Sequence, residues 1–197
     1  MKKLFDDISL EASKIVTKSY STSFSLGILF LDKNIRRHIY SIYGFVRLAD
    51  EIVDSFENYN QEYLLGQFEY DLHNAFQNKI SLNPILNSFQ NTYNQFNIGK
   101  ELTDKFMASM AMDLDKKEYN KSSYEEYILG SAEVVGLMCL KVFLNGDNEK
   151  YEELKPYAMR LGAAFQKINF LRDLKADYED LGRSYFPNLD IVNFDAK

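Results

Sequence analysis

The stretch "YGFVRLADEIVD", residues 43–54, decides how this chain is read. It closes a run in which Ile39, Ile42, Val46 and Val53 recur at helical spacing, so residues 33–57 are expected to form one helix with a buried face. The same turns carry Arg47, Asp50 and Asp54. Like charges at i and i+4 on a helix oppose each other by roughly 0.2–0.5 kcal/mol. At 100° per residue, Tyr43, Arg47, Asp50 and Asp54 fall within about 60° of one another. Ile39 and Val46 lie along that side too, so the two acids stand on a half-apolar face and call for a partner.

The spacing Asp-x-x-x-Asp recurs at Asp173/Asp177, inside "FQKINFLRDLKAD" (165–177). With 15 Asp in 197 residues the spacing alone lies within chance, so the surroundings decide. Gln166, Asn169, Asp173 and Asp177 share one helix face, opposite an apolar face of Leu161, Ala164, Ile168 and Leu171. A solvated face would more usually alternate Lys and Glu; amides beside carboxylates read as a polar strip inside a bundle. Carboxylate pairs one turn apart on two helices suit Mg²⁺, which takes one or two carboxylates together with phosphate oxygens and water. Arg47, Arg172 and Arg183 would add forked donors to a diphosphate. A metal acting as a Lewis acid on that diphosphate would let an allylic C–O bond ionise, and the cation would need a dry aromatic pocket. The chain has 14 Tyr and 15 Phe for such a wall, although an ordinary Phe/Tyr-rich core explains that composition as well.

Few breaks interrupt the remaining sequence, which has three prolines and nine glycines. Helices are expected at 6–19, 33–57, 61–78, 83–95, 100–117, 123–144, 149–155 and 157–179, with Asp32 capping the second and Pro156 in the first turn of the last. Period-two β-branched runs are absent, so the chain reads as one all-α domain over 1–197. A hydrophobic content of 46% with 26% charged residues fits a folded protein, and the net charge of −6 argues against a nucleic-acid partner. Cys139, in "VVGLMCL", reads as a small buried thiol, and one cysteine fits a reducing, cytoplasmic setting. No leader is seen in "MKKLFDDISLEASK", and the apolar runs "VVGLMCL" and "FSLGILFL" fall short of the ~20 residues that span a bilayer. His38 and His73 read as packing or surface residues.

Six segments in order make the chain resemble the squalene/phytoene synthase family of head-to-head prenyl diphosphate synthases. They are "SYSTSF" (19–24), "YGFVRLADEIVD" (43–54), "MDLDKKEY" (112–119), "YILGSAEVVG" (127–136), "LGAAFQKINFLRDLKAD" (161–177) and "GRSYFP" (182–187). The resemblance implies an isoprenoid-synthase-like helical bundle around a central cavity. It implies catalytic roles for Tyr43, Arg47 and the four aspartates, with Mg²⁺ (or Mn²⁺) on Asp50, Asp54, Asn169, Asp173 and Asp177. Diphosphate or substrate contacts are implied at Ser21, Ser23, Phe24, Tyr43, Arg47, Gln166, Arg172, Arg183 and Tyr185. Tyr127, Ala132, Val135, Gly136 and Leu161 would line a prenyl tunnel.

Within the family the chain resembles bacterial phytoene synthase, which implies two C20 prenyl diphosphates as substrate, with C15 dehydrosqualene or squalene synthesis as rivals. Only squalene formation needs a hydride from NADPH, and no Gly-rich dinucleotide loop is present. A lipid product implies peripheral contact with the inner membrane face. The sequence departs from the family in three places. Glu133 stands where a small residue is usual, the step from Asp177 to Arg183 is one residue longer, and the chain stops at "NLDIVNFDAK" where further helices are expected to cover the cavity. A short chain would leave an apolar wall prone to association. Two rival classes are a non-catalytic assembly factor, in which the aspartates should erode first, and a one-substrate terpene cyclase, which two Asp-x-x-x-Asp motifs disfavour.

Overall fold

Periodicity of 3–4 residues governs the chain, and the computed structural model, which describes residues 1–115, 119–179 and 182–187, is helical with no strand among them. Among the described residues nine α-helices follow in order: α1 Lys2–Tyr20, α2 Thr22–Leu29, α3 Lys33–Asp54, α4 Gln61–Asn78, α5 Pro84–Phe96, α6 Lys100–Asp115, α7 Lys121–Ile128, α8 Val134–Leu144 and α9 Asn148–Glu179. A π-helical segment, Leu129–Glu133, joins α7 to α8 without a break. The "NLDIVNFDAK" segment and the expected end of α6 at 117 lie outside the described residues.

Local chemistry sets most boundaries. Asp32 caps α3 as expected, accepting from the Asn34 N–H at 2.8 Å. Asn83 caps α5 through the Ile85 and Leu86 N–H groups, with Pro84 at the first helical position. Asn97 and Asn145 end α5 and α8 in the left-handed conformation that Asn tolerates.

Two boundaries correct the sequence reading. Residues 22–29 form a helix of their own, because Ser21 turns extended and caps α2 at the Phe24 N–H. Pro156 does not begin a helix; it lies inside α9, which runs unbroken through it. The missing N–H leaves the Glu152 carbonyl without its partner, and packing of α9 on α8 and the π segment carries the helix through. Replacing Pro156 with Ala is therefore expected to stabilise the fold by about 1–3 kcal/mol, read as a higher urea midpoint with an unchanged slope.

α3 is the central element, meeting α1, α4, α5, α6 and α8. Its buried side delivers Ile39, Ile42, Phe45, Ala49, Ile52 and Val53 to a core shared with Leu72, Phe89, Phe106 and Met138. The run Lys121–Leu144 is long and apolar enough by composition to cross a bilayer, which the shorter apolar runs in the sequence did not suggest. Half of its most apolar window is buried inside the bundle. Two close crossings place it: a Cβ on Gly130 would come within 2.6 Å of the Lys105 carbonyl on α6, and one on Gly162 within 2.8 Å of the Ala132 carbonyl. The apolar face expected on α9 is present but not covered: Leu161, Phe165, Ile168 and Leu171 are 58–64% exposed. Cys139 is packed as expected, its thiol pushed up to about 12 by burial. His38 is buried and bonded to Thr92, and burial lowers it to about 4.

Candidate active site

Because α3 and α9 share one side of the bundle, their polar strips line a single cavity of about 300 Å³. From α3 come Tyr43, Val46, Arg47, Asp50 and Asp54; from α9 come Gln166, Asn169, Phe170, Arg172, Asp173 and Asp177. Phe106 and Met110 of α6, Tyr127, Ser131 and Tyr185 complete the wall. A wider depression beside α4, lined by Tyr63, Gly66 and Tyr70, lies open to solvent and holds a single charge, Glu62.

Negative charge is concentrated here. The Asp50 carboxyl is pushed upward first by burial and then by Asp54, with Arg47 pulling the other way. Asp177 is pushed up to about 6 by burial, then by Asp173 and by Asp54 from the opposite helix. The two motifs face each other across the cavity that both line. Asp113, on α6 behind the cavity wall, is also pushed up to about 6 by burial. Such groups bind a proton more tightly when folded than the ~3.9 of a free Asp, so ionising them costs the folded state. Stability is therefore expected to fall as pH rises from about 4 to 7 in chelator-treated buffer, by roughly 1 kcal/mol per group after allowance for screening. Thermal melts at fixed ionic strength check this, and Asp113→Asn/Asp177→Asn should flatten the profile.

Each of three motif aspartates holds an arginine. Arg47 donates Nη1 to Asp50 at 2.5 Å and Nη2 to Glu51 at 2.6 Å, while its guanidinium lies 4.4 Å from the Tyr20 ring centre. Its Nε–H is buried with no partner. Arg172 grips Asp173 with two bonds, at 2.8 and 2.5 Å. Arg183 donates to Asp54 at 2.5 Å and to the Val53 carbonyl at 3.0 Å. Among the described residues no three carboxylate, imidazole or thiol groups converge into a ready-made metal cage.

Several expected contacts fall elsewhere. Arg183 is buried and braces Asp54 from behind, so it does not line the cavity. Leu161 points to solvent and Gly136 faces the Ala158 carbonyl of α9, so neither lines the cavity described. Ala132 presents its carbonyl to Gly162, and Val135 packs on the main core. Ser21 serves as the α2 cap, Phe24 stacks on Tyr43 at 4.7 Å, and Ser23 is exposed. Glu133 is half-buried in the π segment, raised by burial and offset by Lys167. Ser131, Phe106 and Met110 were not singled out by the sequence, because nothing in their spacing separates a cavity wall from core.

The profile of the family described as squalene/phytoene synthase matches residues 17–197. The chain belongs to that family. It is 30% identical over 179 residues to phytoene synthase 1, chloroplastic, of Zea mays, covering 87% of this chain and 42% of the relative. Identity is 28% to presqualene diphosphate synthase of Zymomonas mobilis, covering 95% and 65%. A dehydrosqualene synthase crystal structure superposes with a TM-score of 0.82 at 26% identity, covering 95% of this chain and 64% of that one. The fold is thus the all-α isoprenoid synthase fold, and the chain spans less than two thirds of the length of each of these relatives.

Proposed function

We propose that this squalene/phytoene synthase relative is a prenyltransferase that joins two allylic prenyl diphosphates head to head (1-1′) through a cyclopropylcarbinyl diphosphate. The favoured pair is two geranylgeranyl diphosphates giving phytoene, a step of carotenoid synthesis. The observation that carries this is the facing of two strips, Tyr43/Arg47/Asp50/Asp54 and Gln166/Asn169/Asp173/Asp177, across one cavity with an apolar floor. Named relatives make phytoene, presqualene diphosphate and dehydrosqualene, so a C15 substrate is the second reading.

The donor set fits Mg²⁺. Its carboxylates are crowded enough to raise one another's proton affinity, and all its ligating atoms are hard oxygens. Asp50, Asp54, Asn169, Asp173 and Asp177 would hold it, and once bound it supplies Lewis acidity toward the leaving diphosphate. Arg47, with an unused Nε–H, and Arg172 would hold the phosphate oxygens. Tyr43, stacked on Phe24, would fix the substrate head between them. Val46, Phe106, Met110 and Phe170 would keep water from the allylic cation. No NADPH is required for phytoene or dehydrosqualene. A cytoplasmic protein taking and releasing such lipids would work against a membrane face.

Mass analysis of products from farnesyl and geranylgeranyl diphosphate in competition, with Mg²⁺, tests the proposal. A C40 product supports the first reading and a C30 product the second. No product from either would overturn catalysis. Mg²⁺-dependent binding of a non-cleavable analogue without turnover would then mark a non-catalytic relative.

A further inference from the structure

One buried carboxylate beside the cavity has no part in the proposal above. Asp113, 6% exposed, lies near the end of α6 and accepts three phenolic hydroxyls. Tyr127 donates to Oδ2 at 2.6 Å, while Tyr119 and Tyr185 donate to Oδ1 at 2.9 and 3.2 Å. The rings close around it: Tyr119 and Phe170 stack on Tyr185 at 5.1 and 4.3 Å, and Tyr127 meets Tyr119 edge-on at 5.2 Å. Two of these tyrosines, Tyr127 and Tyr185, line the cavity; Tyr119 stands behind them. Tyr185 Oη is also 3.5 Å from Arg183, the residue that braces Asp54.

A phenol has one proton to donate, and an ionised carboxylate can only accept. With the Tyr127 proton committed to Asp113, its oxygen can face the cavity only through lone pairs. We infer that Asp113 is a positioning residue, which fixes Tyr127 and Tyr185 so that the cavity wall beside the aspartate strips presents acceptor oxygens to positive charge. An acceptor so oriented suits a cationic intermediate, where a donated O–H would oppose it. Residues from α6, α7 and the 182–187 segment are thereby tied to one carboxylate, which also sets where the tyrosines stand relative to the motifs. This rests on the proposed reaction for its catalytic meaning, but not for its geometry.

Asp113→Asn keeps size and shape but places an NH₂ donor where an acceptor was. In the presence of Mg²⁺ and whichever of the two prenyl diphosphates the wild type uses, kcat is expected to fall on the order of 10²-fold, as for a misplaced catalytic wall. KM should stay within about threefold. Tyr127→Phe should lose a similar factor, and the double variant should be no slower than the worse single variant, because both remove one interaction. A kcat for Asp113→Asn within about twofold of wild type, or losses that multiply in the double variant, overturns the inference.

If wild type forms no product, the proposed reaction has failed, and ring-¹³Cζ tyrosine NMR decides the inference alone. The Tyr127 signal, assigned by its loss in Tyr127→Phe, should move in Asp113→Asn while those of the exposed Tyr63 and Tyr70 hold. An unmoved Tyr127 signal overturns it. Should Asp113→Asn not fold, Tyr119→Phe replaces it in the same spectrum. Withdrawing one donor from the shared carboxylate should move the Tyr127 and Tyr185 signals, and their constancy overturns the inference.

Discussion

Asp50→Asn is expected to lower turnover at least about a thousandfold, the loss of some 4 kcal/mol of charge stabilisation, while making the protein harder to melt. The two effects have one cause. Burial and the neighbouring Asp54 disfavour the ionised Asp50 carboxyl, and Arg47 offsets only part of that. A neutral amide removes the repulsion, and Arg47 keeps Glu51 as its second partner at 2.6 Å. At pH 8 without metal, a gain of about 1 kcal/mol would raise the melting temperature by roughly 2–4 °C for a chain of this size. Functional sites commonly hold charges that the fold alone would reject. Product assays and melts on the same preparation check both effects. Turnover within about tenfold of wild type would remove Asp50 from the machinery.

Phe45→Ala is expected to cost about 3–5 kcal/mol, a large share of the 5–15 kcal/mol that keeps a domain folded. Phe45 is fully buried and nearly parallel to Phe89, with ring centres 4.1 Å apart. Phe106 and Phe68 complete the cluster at 5.1 and 5.9 Å. A cavity there would loosen α3 from α4, α5 and α6 together, two residues before Arg47 and five before Asp50. Urea unfolding followed by circular dichroism should show the loss. A change below about 1 kcal/mol would mean that the site collapses around the truncated side chain.

The aspartate strips were legible because each lies within one helix, where spacing alone fixes the shared face. α3 was equally plain, since its apolar residues repeat over 22 residues. α2 escaped notice because eight residues that include Phe24, Leu26, Ile28 and Leu29 show no polar side to give a helical period. Pro156 misled because local propensity predicts a start, whereas tertiary packing along α9 overrides it. Asp113 was hidden for another reason. It sits in "MDLD" beside a second acid, and its three tyrosines come from chain positions 6, 14 and 72 residues away. Only the folded chain brings them to one carboxylate.

The arginines that hold Asp50 and Asp173 have a thermodynamic consequence for ligand binding. A carboxylate gripped by a guanidinium is less free to bind a cation, and that guanidinium is less free to bind an anion. Under the proposed reading, each ligand releases what the other needs, so cation and diphosphate should bind with positive coupling. By linkage the coupling is reciprocal: whatever factor one ligand contributes to the other's affinity, it receives in return. A dissociation constant for either ligand then describes this site only together with the concentration of the other.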